Sequence, residues 1–423
     1  MITASTPVPD RIADPTQVLL DFIRDHWDDT VRHAPNDDGD RIGLPYPYTV
    51  PCRRDGFQDL YYWDTFYANE GLLAQGRVEL ARQNVDNMLH LVGKYGFMPN
   101  GNRTFFLTRS QPPHLALMVD RIFARTADLN WLDSALVGLE IEHAFWQANR
   151  IAPCGLNHYG HQAPDAELIA SWDTKESRPG HANVIPDTDA EKIRLAGHSY
   201  AECESGWDFS PRFAHRSSDF CAADLNALLF ASEQIIAHGH RVLDRDLRAL
   251  DWEKRATRRA ALMRELLWSR EIGAFADYDH VNQRRSSQVS VAQFYPVWLG
   301  ITDSAETANT LDLLPRLESS HGILTCEPGP RERRCQWDAP NAWPPLQYAT
   351  VRALEIGGRH ADARRVATAF LATVARNLTI TGDLWEKYNA ETGDIQVRNE
   401  YQMPAMMGWT AGVCAALATS IHC

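Results

Sequence analysis

The sequence predicts an all-α protein, an (α/α)6 toroid or barrel with long loops over a central funnel, and three observations predict it. Helical periodicity recurs in about twelve segments. Strand-like alternation is confined to short pieces near Phe105–Leu107 and Ile395–Val397. The connections alternate between short ones and long, aromatic-rich ones. Hairpins joined in that rhythm make a ring whose inner helix ends face one mouth. A superhelix of repeats would show a fixed period, and none is present.

The segments follow in order. Over Pro15 to Ala34, Val18, Leu19, Phe22, Ile23 and Trp27 fall on one stripe, with Asp14 as N-cap and Pro15 at the first helical position. Periodic stretches continue at Thr65–Ala74, Val78–Lys94, Leu115–Thr126 and Trp131–Ala148. Then come Asp219–Ala237, Asp246–Arg270, Val289–Leu299, Ala305–Leu314, Pro344–Ile356, Ala361–Asn377 and Pro404–Ile421. The long loops are Tyr46–Asp64, Gly96–Pro113, Cys154–Asp208 and Cys326–Pro345. Long loops in a compact domain are usually functional. Residues 154–208 are the longest helix-poor stretch and are expected to form an insertion or lid on a single catalytic domain spanning 1–423.

Composition narrows the function. With Lys+Arg 42 against Asp+Glu 55, the net charge is −13, which argues against nucleic acid and anionic membranes as partners. No apolar run is long enough to span a bilayer, and Met1–Pro15 has neither the basic start nor the apolar stretch of a signal peptide. The eight cysteines are scattered without a CxxC pair, so reduced thiols in a cytoplasm are expected. No HExxH, GxGxxG or Walker loop occurs. His158 and His161 share a loop without obvious partner ligands, so neither metal nor cofactor is expected. Oligomeric state leaves no trace in the sequence.

The chemistry sits in five polar-aromatic segments: FQDLYYWD over 57–64, PNGNR and RSQPP over 99–113, SGWDFS over 205–210, QWDAPN over 336–341, and WEKY with NEY near the end. Three contain Trp-Asp. An indole offers an apolar face to a sugar ring, and the adjacent carboxylate accepts from its hydroxyls. One such pair is weak evidence, since a core Trp with a capping Asp is common. Five segments at helix-loop junctions are a stronger signal.

These segments resemble the signature stretches of trehalases, inverting glycoside hydrolases with an (α/α)6 barrel, from about Pro51 to Val413. PNGNR, RSQPP and SGWDFS stand as in that family, and QWDAPNAWPPLQ differs mainly at Ala342. Glu400 precedes Trp409 at the family's spacing in EYQMPAMMGWTAGV. The resemblance implies that Asp208 is the general acid and Glu386 the general base. It also implies that Glu400 holds the sugar, and that Phe57, Trp63, Asp64, Asn100, Arg109 and Gln111 line the cleavage subsite. Glu167, Gly206, Trp337, Asn341 and Trp409 complete the expected substrate-binding set. Inverting enzymes place their carboxyls about 6.5–9.5 Å apart, with a water between base and anomeric carbon. Only a ring fold brings residues as distant as 208 and 386 to one site.

The departures concern the aglycone. Gly56 stands where trehalases carry an arginine, and Asp165 where they carry a second. Arg53, Arg54 or Arg178 are the candidates to replace them. The sequence therefore reads as an inverting α-glycosidase of trehalase type, expected to release a monosaccharide, glucose, from a small α-glycoside or disaccharide. A sugar epimerase using His158, His161, His198 or His321, a trehalase in the strict sense, and a dead sugar-binding protein are the alternatives.

Overall fold

The computed structural model describes residues 14–174, 185–330 and 335–421. Arg178 and residues 1–13, most of the segment read for a leader pattern, lie outside them. Helices run α1 Pro15–His26, α2 Tyr62–Ala74, α3 Val78–Tyr95, α4 Leu115–Thr126, α5 Leu129–Asn149, α6 Asp165–Thr174, α7 Asp189–Glu204 and α8 Ala223–Val242. They continue with α9 Asp246–Leu266, α10 Tyr295–Trp298, α11 Ser304–Leu311, α12 Leu314–Leu317, α13 Pro344–Ile356, α14 His360–Thr381 and α15 Gly408–Ile421.

An inner ring closes through successive contacts of α2, α4, α8, α10, α13 and α15, the last packing back on α2. α3, α5, α9, α11, α14 and α1 follow or flank these as the outer layer. This is the (α/α)6 barrel. The composition of each layer explains its place. α2 and α15 are buried on nearly every face, as helices apolar all round must be. α3 and α14 are amphipathic and keep one face in water. Ring closure needs close backbone approach where α15 meets α2. A Cβ on Gly412 would lie 2.0 Å from the Tyr67 carbonyl oxygen, and one on Gly71 would lie 2.4 Å from Gly412 Cα.

Several expected boundaries shift for local reasons. α1 starts as expected, with Asp14 accepting from the Thr16 amide at 3.0 Å, but ends at His26. Trp27–Thr30 tightens into a 3₁₀ turn, and Val31–Arg32 pairs with Tyr48–Thr49. Val289–Leu299 is a 3₁₀ turn under a Ser290/Gln293 capping box, followed by the single-turn α10. α15 starts at Gly408, four residues late, where the Gly408 amide donates to the Pro51 carbonyl at 2.8 Å. Phe105–Leu107 lies in a 3₁₀ turn, and Ile395–Val397 forms no strand. The 154–208 stretch is not helix-poor: it contains α6 and α7, which pack on each other.

The start of α2 is tied to its neighbours by a buried phenol. Tyr62 donates to Glu142 of α5 and accepts from the Leu115 amide at 3.0 Å. Burial pushes the Glu142 carboxyl up to about 7 from an ordinary 4.5. A carboxyl raised on folding adds stability that is complete below its unfolded pKa and is lost as pH rises through the folded one. Thermal unfolding midpoints of wild type and Glu142→Gln, which keeps an acceptor for Tyr62, should therefore diverge between pH 4.5 and 7, wild type losing more. Parallel curves would show that Glu142 is not buried as a neutral acid.

Candidate active site

The inner helix ends and long loops enclose a cavity of about 520 Å³. Eleven of the fourteen expected site residues line it: Asp208 and Glu386, with Phe57, Trp63, Asp64, Asn100, Arg109, Gln111, Gly206, Trp337 and Trp409. Tyr61, Phe106, Cys203, Gln336, Trp343, Tyr401, Gln402 and Met406 also line it. None of His158, His161, His198 and His321 does. Among the described residues no group of three or more His, Cys, Asp or Glu is placed to hold a metal ion.

The floor is a tryptophan stack. Trp337 lies flat on Trp343 at 3.7 Å between ring centroids and 3° between planes, and tilts toward Trp63 at 5.6 Å. Trp409 meets Trp63 edge-on at 5.9 Å. Gly206, at φ +75°, makes room for this: a Cβ there would lie 2.7 Å from the Trp63 ring. The glycine of SGWDFS thus admits the indole rather than binding by a side chain of its own.

Asp208 follows α7 in a turn fixed on both sides. Gln336 Nε2 donates to its carbonyl at 2.7 Å, and the Trp337 amide donates to the Phe209 carbonyl at 3.0 Å. Cys203 Sγ is 3.7 Å from Asp208 Oδ2. Behind the turn, Glu204 is fully buried. It accepts from Arg150 Nε at 2.8 Å, the Ser110 amide at 2.8 Å and the Gly160 amide at 2.7 Å. One carboxylate thereby joins α5, α7 and the RSQPP loop that carries Arg109 and Gln111. Arg212 is buried between Asp224 and Asp277 and lies 4.6 Å over the Trp207 ring.

Glu386 is 1% exposed. Its side chain accepts from Tyr401 Oη at 2.5 Å and from Lys387 Nζ, which is itself fully buried. The ammonium lies 4.5 Å over the Trp343 ring and 5.2 Å over Tyr401. Asn341–Ala342 pairs with Tyr388–Asn389 and brings the Glu386 segment beside Trp337.

Carboxyl crowding marks the site. Burial raises Asp64 to about 8, and the charges of Glu386 and Asp208 add to it. Burial likewise raises Glu202 to about 8, with Asp208 and Glu400 contributing, although the Ser210 amide donates to it at 2.8 Å. Asp64 and Glu202 are thus held toward their neutral forms, chiefly by burial and further by their charged neighbours.

Three expected residues lie outside the lining. Asn341 donates to the Gln336 and Arg398 carbonyls at 2.7 and 2.8 Å and accepts from the Arg398 amide at 3.0 Å. Its side chain ties together the loops on either side of the site. Glu167 accepts from Tyr200 Oη at 3.0 Å, and the Tyr200 ring lies 5.2 Å from the Arg109 guanidinium. Through these two it adjoins the cavity. Glu400 is partly buried beside the cavity, where its charge acts on Glu202 and Tyr401.

Of the three candidate replacement arginines, Arg53 and Arg54 lie within the described residues and Arg178 does not. Gly56 lines the cavity at φ +88°, and a Cβ there would meet Cys52 Sγ at 3.1 Å and Pro404 Cβ at 3.2 Å. Arg53 turns away, paired with Asp383 at 2.9 Å and Asp29 at 3.5 Å and lying over the Phe22 ring at 5.1 Å. Arg54 is exposed and Asp165 opens α6 on the surface. Among the described lining residues the arginine is Arg109. Its guanidinium lies between the Phe106 and Tyr200 rings, with Nε unbonded.

A family model described as trehalase matches residues 16–421. The chain belongs to the trehalase family. Among its relatives, a periplasmic trehalase of Pseudomonas aeruginosa is 32% identical, over 98% of this chain and 78% of its own. A trehalase of Oryctolagus cuniculus is also 32% identical, over 89% and 68%. A neutral trehalase of Saccharomyces cerevisiae shares the fold at a TM-score of 0.75 and 23% identity, covering 98% of this chain and 81% of that one. The trehalase-family chain is thus a glycoside hydrolase on an (α/α)6 barrel. No helix among its described residues is long and apolar enough to cross a membrane.

Proposed function

We propose that this glycosidase releases glucose from a small α-glucoside with inversion, Asp208 acting as general acid and Glu386 as general base. The observation that carries the reading is the convergence of Asp208 and Glu386 in one tryptophan-floored cavity. Asp208 protonates the leaving oxygen while Glu386 takes a proton from the attacking water. Trp63 and Trp337 hold the ring, and Asp64, Asn100, Arg109 and Gln111 hold its hydroxyls. The Glu386 carboxylate reaches the water by exchanging its Tyr401 hydrogen bond for one from water. Residues 1–423 act as one catalytic domain, with α6 and α7 as a helical excursion over the funnel. The cytoplasmic placement belongs to this proposal and rests on the scattered cysteines.

The aglycone subsite is rebuilt relative to trehalose hydrolysis. The left-handed backbone at Gly56 and its close neighbours Cys52 and Pro404 disfavour an arginine there, and Arg53 is engaged elsewhere. Losing a hydrogen bond to a charged donor costs about 1.5–3 kcal/mol, roughly tenfold or more in kcat/KM per contact. Glucose release should be measured on trehalose, kojibiose, glucosylglycerol, glucosylglycerate and mannosylglycerate. At least one smaller aglycone is expected to exceed trehalose by about tenfold or more. If trehalose exceeds every other glycoside, the subsite is not rebuilt.

A further inference from the structure

Away from the sugar cavity, two thiols are in contact. Cys154 lies in the turn after α5, closed by the Ile151–Asn157 bridge. Cys221 lies in the short strand before α8, opposite Tyr278. They are 67 positions apart, and their Sγ atoms are 3.5 Å apart. Closing a bond of about 2.05 Å needs a sulfur displacement of roughly 1.5 Å, which side-chain rotation can supply. Cys154 is partly exposed and Cys221 buried, so an oxidant reaches one thiol while the other stays sheltered behind it.

We propose that Cys154 and Cys221 form a redox-active dithiol whose disulfide clamps the base of the excursion carrying α6, α7 and Asp208.

The chemistry balances with a small-molecule disulfide such as oxidised glutathione. The Cys154 thiolate attacks one glutathione sulfur and expels the other as a thiolate, leaving a mixed disulfide. Cys221 gives its proton to that thiolate and attacks Cys154 Sγ, expelling the second glutathione. The second glutathione thiolate takes from solvent the proton that Cys154 had released, so two protein thiols are oxidised to one disulfide and one glutathione disulfide is reduced to two thiols. Cys154 is suited to attack first. Its contact with Cys221, helped by the Leu156 amide and His280, brings it down to about 6, so it is largely thiolate at neutral pH. The same contact and burial hold Cys221 protonated; capping Cys154 removes the contact and frees Cys221 to resolve the intermediate. Burial pushes Cys52 and Cys414 upward instead, so they should stay reduced.

The test uses the full-length protein, incubated with oxidised glutathione at neutral pH, acid-quenched, unfolded, alkylated and peptide-mapped. The expected product is a peptide linked through Cys154 and Cys221. Its Tm should lie about 2–5 °C above the reduced form, since a cross-link over a long loop restricts the unfolded chain. Dithiothreitol should reverse both. Cys221→Ser should accumulate glutathione on Cys154 and show no such rise. The proposal is overturned if every thiol stays alkylatable, if glutathione accumulates on Cys154 of wild type, or if the link joins other cysteines. A 154–221 link with unchanged Tm overturns the clamp. The wild-type result decides even if a serine variant folds poorly.

Discussion

Asp208→Asn is expected to lower kcat on alkyl and sugar glycosides by about 10²–10⁴-fold, the usual contribution of a general acid. An amide of the same shape cannot give a proton to the leaving oxygen. The fold should persist, because Gln336 bonds the residue-208 carbonyl rather than its side chain. The role has a second signature. α-Glucosyl fluoride needs little protonation on departure, so the variant should hydrolyse it far closer to wild-type rates. A variant within tenfold of wild type on O-glycosides, or equally slow on the fluoride, would remove Asp208 from the acid role.

Glu386→Gln should cost a similar 10²–10⁴-fold, with the fluoride offering no relief, since an amide cannot activate water for either substrate. It should also destabilise the protein where Asp208→Asn does not. Lys387 is fully buried against Glu386, and removing one partner of a buried ion pair costs about 3–5 kcal/mol. Thermal unfolding of both variants checks this, with kinetics read well below the lower midpoint. Near-normal turnover by Glu386→Gln would assign the base elsewhere.

Much of the ring was legible because α3, α4, α8, α9, α13 and α14 follow a helical period in the sequence, while α2 and α5 read as largely apolar stretches. α7 escaped that test for a physical reason. Its buried face includes His198, Glu202 and Glu204, whose burial depends on partners such as Arg150 and Ser210 that no local pattern reveals. The end of α1 was overrun because Trp27 continues the apolar stripe inside a 3₁₀ turn.

The Trp-Asp segments located the cavity, yet could not sort its residues. Asn341 sits in QWDAPN, and its side chain bonds backbone groups of the loops around it. Lys387 and Tyr401 stood in the highlighted segments, but their meaning comes from meeting at one carboxylate across the site. Gly56 showed the loss of an arginine; that the backbone there is left-handed and close to Cys52 and Pro404 needed the fold.

The central claim is single-displacement hydrolysis by Asp208 and Glu386. Proton NMR of the anomeric signals during the first turnovers of a good α-glucoside tests it most directly. The account predicts β-glucose appearing first, with the α-anomer growing in only by mutarotation. Early accumulation of α-glucose would contradict it and require a covalent glucosyl-enzyme instead.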